Sequence, residues 1–251
     1  IKYTHSAVNF ASNSVLNNGT WFRIGVTTDG IYKLDYSFFL KAGIDTSKLI
    51  PANIRIYGNG GAMLPQSNKI YRPDDLIENA IYVHGQNDPS FKPKDYVLFY
   101  GQSPHVWTYS YSDNRFHHTV NLYSDTTFYF VNIDLGPGKR IGFEPSSISS
   151  PTNVVTTFDD YAYHELDATN LIQSGSEWFG EYFDLTTQYT IQFPFQNISN
   201  SGPVYVNAAI ASVNCNASSL YSVGPASCSI GGVPCQFDET YAAMNSCNYT
   251  Y

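Results

Sequence analysis

The strongest constraint on this chain is a succession of short runs rich in Tyr, Phe, Val, Ile and Thr, each cut off within a few residues by Gly, Pro, Asn or Asp. Runs of this kind suit a pleated, half-buried surface and are too short for packed helices, so the sequence predicts a mainly β protein. Composition agrees: the chain carries 21 Tyr, 16 Phe and 3 Trp, and charged residues make up only 14% against a usual value of about 25%. The expected architecture is β-sandwich-type domains with one or two short helices.

A length of 251 residues is enough for two such domains. Gly, Pro and Ser displace the aromatics over 135–153, LGPGKRIGFEPSSISSPTN, which sets the expected boundary. The expected division is a β-rich domain over 1–145, with a helix near 36–42, and a β-sandwich-like domain over 150–251 that is truncated and ends in a Cys-containing tail. The formal charge of −8 and the scatter of the 13 Lys and Arg leave no basic footprint for nucleic acid or anionic lipid. No apolar run approaches the ~18 residues of a spanning helix. The first ten residues, IKYTHSAVNF, have neither Met nor a leader pattern. The expectation is a trimmed, soluble, extracytoplasmic chain that does not span a membrane.

Four cysteines, Cys215, Cys228, Cys235 and Cys247, crowd into a polar, charge-poor tail. An even number in such a segment reads as two disulfides, with all three pairings open, and so as an oxidising compartment. No Cys-x-x-Cys is present and no His lies in the tail, which argues against zinc.

Local signals place the elements. In TWFRIGVTTDGIYKL (20–34), two alternating runs flank Thr28-Asp29-Gly30, which predicts a β-hairpin with positive φ at the turn. Asp35 reads as the N-cap of a short helix carrying Phe38, Phe39 and Leu40, and Gly43 as its stop. IRIY, AIYVHG, DYVLFYG and TFYFVNIDL follow as strands, and TIQFPF and VYVNAAIASV are strand candidates in the second half.

No constellation in the chain composes a catalytic site. The cysteines lack an activating neighbour, no Gly-x-Ser-x-Gly occurs, and Gly58-Asn59-Gly60-Gly61 lacks the Lys-Ser/Thr of a phosphate loop and reads as a sharp turn. His117 and His118 beside Asp113 offer metal-ligand chemistry, but adjacent strand residues face opposite ways. The pairs Asp74-Asp75, Asp159-Asp160 and Glu177 with Glu181 raise a glycosidase reading, which needs two carboxyls about 5–9 Å apart across a cleft. Asp74-Asp75, following Arg72-Pro73, suits a turn or cap better. The tyrosines suit a half-wet strand face, with a stacking platform for sugars as the alternative. No cofactor or metal site is expected.

In order, DGIYKLDYSFFLKAGID, IRIYGNGGAMLP, RPDDLIENAIYV, DYVLFYGQSP and NLYSDTTFYFV form a set that resembles the N-terminal region of the PorU family, the gingipain-like sortases of the type IX secretion system of Bacteroidota. SGSEWFGEYF is similar to the family's SGR-x-WFGE stretch, with Ser176 where Arg is frequent. The resemblance runs over about residues 20–195 and is loose beyond 210. It implies a surface-exposed cysteine peptidase that removes the C-terminal sorting domain of secreted cargo and anchors the cargo to the cell surface, with its catalytic Cys and His in a downstream domain. No catalytic residue is carried onto this chain. The implied role is non-catalytic: packing against the peptidase domain, contacting other secretion-system or attachment proteins, or holding cargo. Gly58, Asn59, Gly60, Gly61, Arg72, Asp74 and Asp75 are the first candidates for an interaction surface, because turn chemistry favours exposure. A carbohydrate-binding or adhesin module is the alternative.

Overall fold

The computed structural model describes residues 10–170, 173, 178–183, 185–186, 188–193 and 195–199, and the strands at 204–211, 229–230 and 233–243. The protein is mainly β and divides into two units, Ile1–Ile148 and Ser149–Tyr251. No helix among the described residues is long and apolar enough to cross a membrane.

In the first unit the chain runs β1 (Trp21–Val26), β2 (Gly30–Asp35), α1 (Tyr36–Lys41), β3 (Arg55–Tyr57), β4 (Glu78–Asn79), β5 (Tyr82–His84), β6 (Tyr96–Gly101), β7 (Val106–Ser110), β8 (Arg115–Thr119) and β9 (Thr127–Asn132). Two antiparallel sheets form, one in the order β1-β9-β3-β4 and the other β2-β6-β5, while β7 and β8 pair as a separate hairpin. The period-two pattern turns Val26, Ile56, Tyr129 and Val131 of the first sheet and Leu34, Val83, Val97 and Phe99 of the second into one common core. The Phe99 and Tyr129 rings meet 5.3 Å apart across the two sheets, so this unit is a β-sandwich.

Helix α1 closes one part of the core. The Asp35 carboxylate accepts the Phe38 N–H at 2.9 Å, and Gly43 takes a φ of +78° just past the end, as the sequence predicts. Phe39 is fully buried and packs edge-on to Phe91 at 4.9 Å.

The hairpin expected over 20–34 does not form. β1 pairs along its length with β9, and β2 with β6, so Thr27-Thr28-Asp29 is a corner carrying the chain from one sheet to the other. Gly30 does not take a positive φ. Ser103 fixes the corner instead: its N–H donates to the Asp29 carboxylate at 2.9 Å and its hydroxyl to Thr27 O at 3.2 Å.

In the second unit β10 (Val204–Ala211) pairs in parallel with β12 (Val233–Ala243), which also takes β11 (Ser229–Ile230) antiparallel. No strand forms over the described residues of TIQFPF: residues 190–193 are irregular, and Phe195 N–H donates to Phe193 O at 2.9 Å. The sandwich expected of this half falls largely on residues outside those described. Cys215, Cys228 and Cys247, with the two disulfides expected of them, also lie outside the described residues, and for Cys235 only its place in β12 is described.

Candidate functional site

The Gly58–Gly61 loop leaves β3 at the rim of the sandwich, and its backbone is pressed against three partners. Gly58 is buried flat on the Tyr129 ring, where an added Cβ would stand 2.5 Å from a ring carbon. Gly60, at φ +81°, faces the Gln102 amide, and a Cβ on Gly61 would fall 1.6 Å from Ser103 O. Gly58 is therefore required by close approach of backbone to ring, Gly61 by close approach of backbone to backbone, and Gly60 by its left-handed φ. Burial holds the Tyr129 phenol above its usual pKa, and its oxygen accepts the Gln102 N–H at 3.0 Å. That bond and the Ser103 bonds set the opposite wall of the loop.

Asn59 and the acidic pair make the second half of the arrangement. Asn59 Oδ1 accepts Ile77 N–H at 2.9 Å, while its Nδ2 donates to Asp75 O at 3.2 Å, closing the base of the 59–77 excursion. The Asp75 carboxylate accepts Val15 N–H at 2.5 Å, Leu76 N–H at 2.8 Å and the Ser14 hydroxyl at 2.9 Å. Asp74 accepts Ala11 N–H at 2.8 Å. Those bonds, the Val15 amide foremost, hold the Asp75 carboxyl below the usual carboxylate range. The two aspartates thus clasp the segment 11–16, a cap-like use of carboxylates. Arg72 is exposed and bonds Asn68. The proposed surface is divided: Asn59, Arg72 and Asp74 are exposed, Gly60, Gly61 and Asp75 are half-buried, and Gly58 is covered.

The remaining candidates separate. On β8 His117 turns outward, 2.7 Å from Asp113, and His118 turns to the opposite face beside Trp107, with ring centroids 4.6 Å apart. Burial, then the neighbouring His105, lowers the His118 pKa. No group of three potential metal ligands gathers among the described residues. Asp159 and Asp160 are exposed on an irregular segment, and Glu177 lies outside the described residues, as does Ser176.

Sequence reasoning missed two features. In the second unit His164 Nε2 lies 2.5 Å from Glu181, whose carboxyl that bond holds low. Glu181 closes the Trp178-Phe179-Gly180-Glu181 stretch, which is laid along 164–169 by the Thr169–Phe179 bridge, with Gly180 flush against Leu166 O. The second feature is the outer face of β2-β6-β5. Tyr82, Tyr96 and Tyr100 share it with Ile31, Leu98, Lys33 and His84. Tyr96 is stacked on His84 at 5.0 Å, and Lys33 Nζ lies 4.7 Å from its ring. The tyrosines of AIYVHG and DYVLFYG, residues suited to a half-wet strand face, carry the signal for this face.

Fold and site together define the first unit as a mainly β sandwich module whose polar residues bind its own loops and whose outer sheet face is aromatic. No family model matches the chain, and no curated protein matches it. Among solved structures it is similar to the crystal structure of dimeric latent PorU from Porphyromonas gingivalis, at 25% identity and a TM-score of 0.42, over 57% of this chain and 12% of that one.

Proposed function

We propose that this chain is the non-catalytic N-terminal portion of a surface-exposed, type IX secretion sortase-like cysteine peptidase of the PorU kind, acting outside the cytoplasm at the cell surface of a Bacteroidota-type bacterium. One observation carries the reading. The segments that resemble the PorU family are the segments that build the sandwich core: they supply Leu34, Phe39, Ile56, Ile81, Val97, Phe99 and Tyr129. A resemblance confined to loops would concern surface accident, whereas here it follows the residues that set the fold.

On this reading the two halves, 1–145 and 150–251, are successive β modules ahead of a peptidase domain, and Cys215, Cys228, Cys235 and Cys247 form two disulfides in an oxidising compartment. The Gly58–Gly61 loop with Arg72, Asp74 and Asp75 gives the module a built rim that packs against the peptidase domain or touches cargo and attachment proteins. The test is cleavage of cargo carrying a C-terminal sorting domain by the longer parent protein. Cleavage should require a cysteine downstream of Tyr251 and fall when the first module is deleted. A parent protein without cysteine-dependent cleavage overturns the proposal.

A second reading, a carbohydrate-binding module, is favoured by the exposed tyrosine face of β5 and β6, because an aromatic ring with a polar edge suits a sugar face. Binding on a glycan array that Tyr82→Ala and Tyr100→Ala abolish supports it, and an array without a hit removes it.

A further inference from the structure

β5 is the edge strand of its sheet, and the chain itself begins to cover that edge and then stops. Ile81 and Arg140 form a parallel bridge: Ile81 N–H donates to Lys139 O at 3.3 Å, and Ile141 N–H donates to Ile81 O at 3.0 Å. Arg140 anchors this approach, its guanidinium donating to Pro51 O, Ala52 O and Ile54 O at 3.0, 2.6 and 3.1 Å. Because Ile81 turns its N–H and C=O away from β6, strand alternation turns those of Val83 the same way. No backbone bond on that side is made by Val83 among the described residues. An open cavity of about 410 Å³ lies along this edge, lined by Tyr82, Val83, Gln86, Asn87, Arg140 and Ile141. Past it the chain runs exposed and irregular, with Phe143 92% and Ile141 56% accessible.

We propose that residues 142–144 are a strap that closes over this cavity by continuing the parallel strand one step along β5. In the register set by Ile81 and Arg140, Gly142 comes opposite Val83. Val83 N–H then donates to Ile141 O, and Phe143 N–H donates to Val83 O. Gly142 takes the inward position, where Val83 is buried and a side chain would need room. Ile141 and Phe143 take the outward positions beside Tyr82 and His84, and so extend the aromatic face. The sequence also writes the end of the strap: the next residue to turn its N–H toward β5 is Pro145, which has none. On the other side Gly85, at φ +75°, takes β5 out of extended conformation, and its carbonyl already accepts Asp88 N–H at 2.9 Å.

The same count decides the occupant. Val83 offers two hydrogen bonds, whose net worth falls far short of the cost of bringing a separate peptide to the edge, whereas a strap already joined at Ile141 has met that cost. The closed strap removes an open edge that would otherwise template pairing with another chain.

The test is hydrogen exchange at the Val83 amide in the full chain, with the core amide of Val97 as the measure of intact fold. Phe143→Pro deletes the N–H that bonds Val83 O and should raise Val83 exchange tenfold or more without changing Val97. Glu144→Pro alters a residue whose N–H points away from β5 and should leave Val83 exchange within twofold. Equal Val83 exchange in the parent chain and Phe143→Pro overturns the proposal, as does an equal loss of protection in both proline variants. Phe143→Ala, which keeps the backbone donor, should retain most of the protection, and full loss there also counts against the strap.

Discussion

Replacing Gly61 with Ala tests whether the glycine loop is set by backbone packing. The added Cβ would stand 1.6 Å from Ser103 O and 2.7 Å from Ser103 C, against ordinary contacts beginning at 3.4 Å. Backbone must therefore give way, and Ser103 resists: it is tied to Asp29 and Thr27, and its hydroxyl also accepts His105 N–H at 3.1 Å. Separating the two segments also breaks the bond from Ala62 N–H to Pro104 O, 3.2 Å long. Overpacking of this kind costs about 1–3 kcal/mol and one lost hydrogen bond about 1 kcal/mol, so the expected loss is about 2–4 kcal/mol. For a unit of this size that lowers Tm by roughly 6–12 °C. Gly30→Ala is the control, because nothing lies within 4 Å of its Cβ position and its φ is ordinary. It should be neutral or stabilising by up to about 1 kcal/mol through the unfolded chain. Thermal unfolding followed by circular dichroism reads both variants. A Gly61→Ala protein melting within about 1 °C of the parent would refute the backbone contact.

Two further outcomes follow from the same contacts. Phe39→Ala empties a fully buried site against Phe91 and Phe38 and should cost about 3–5 kcal/mol in urea unfolding, with little change in m. The Asp75 carboxyl has its pKa lowered on folding, so its contribution is fully present above the ordinary carboxylate pKa of about 4 and is lost as pH falls through its lower folded value. The clasp on 11–16 should therefore open on acidification, read as faster exchange of the Val15 amide. Asp75→Ala should reproduce that opening at neutral pH, and a Val15 amide indifferent to both changes would contradict the clasp.

What could be read ahead of the structure was what is decided locally. Asp35 and Gly43 bracket α1 within one short stretch, and the cap bond and left-handed stop follow from those residue types alone. DYVLFYG and TFYFVNIDL declare themselves as strands by short aromatic and aliphatic runs bounded by turn residues. The Asp29-Gly30 signal failed because a two-residue turn and a corner between sheets use the same residues. The choice is made by β9 and β6, and by Ser103, which lies 74 residues from Asp29. β7 and β8 went unnamed although Asn114, at φ 55°, turns between two aromatic runs; with no Gly in the turn, the usual punctuation is missing.

The candidate rim shows the same division more sharply. Turn chemistry correctly singled out Gly58–Gly61 and Asp74–Asp75 as residues under conformational demand, but turn chemistry is indifferent to whether the demand comes from solvent, ligand or the protein itself. Gly58 answers to Tyr129, Gly61 to Ser103, and Asp75 to Val15, each far away in the sequence, and only the fold brings them together. Exposure therefore could not be inferred from residue type at these positions. A partner that uses this rim meets Asn59, Arg72 and the open side of Asp74 first, since Gly58 is covered and Gly60 and Gly61 are half-buried. Substitutions at Arg72 should consequently separate partner binding from folding, while substitutions at Gly58 or Gly61 should disturb both at once.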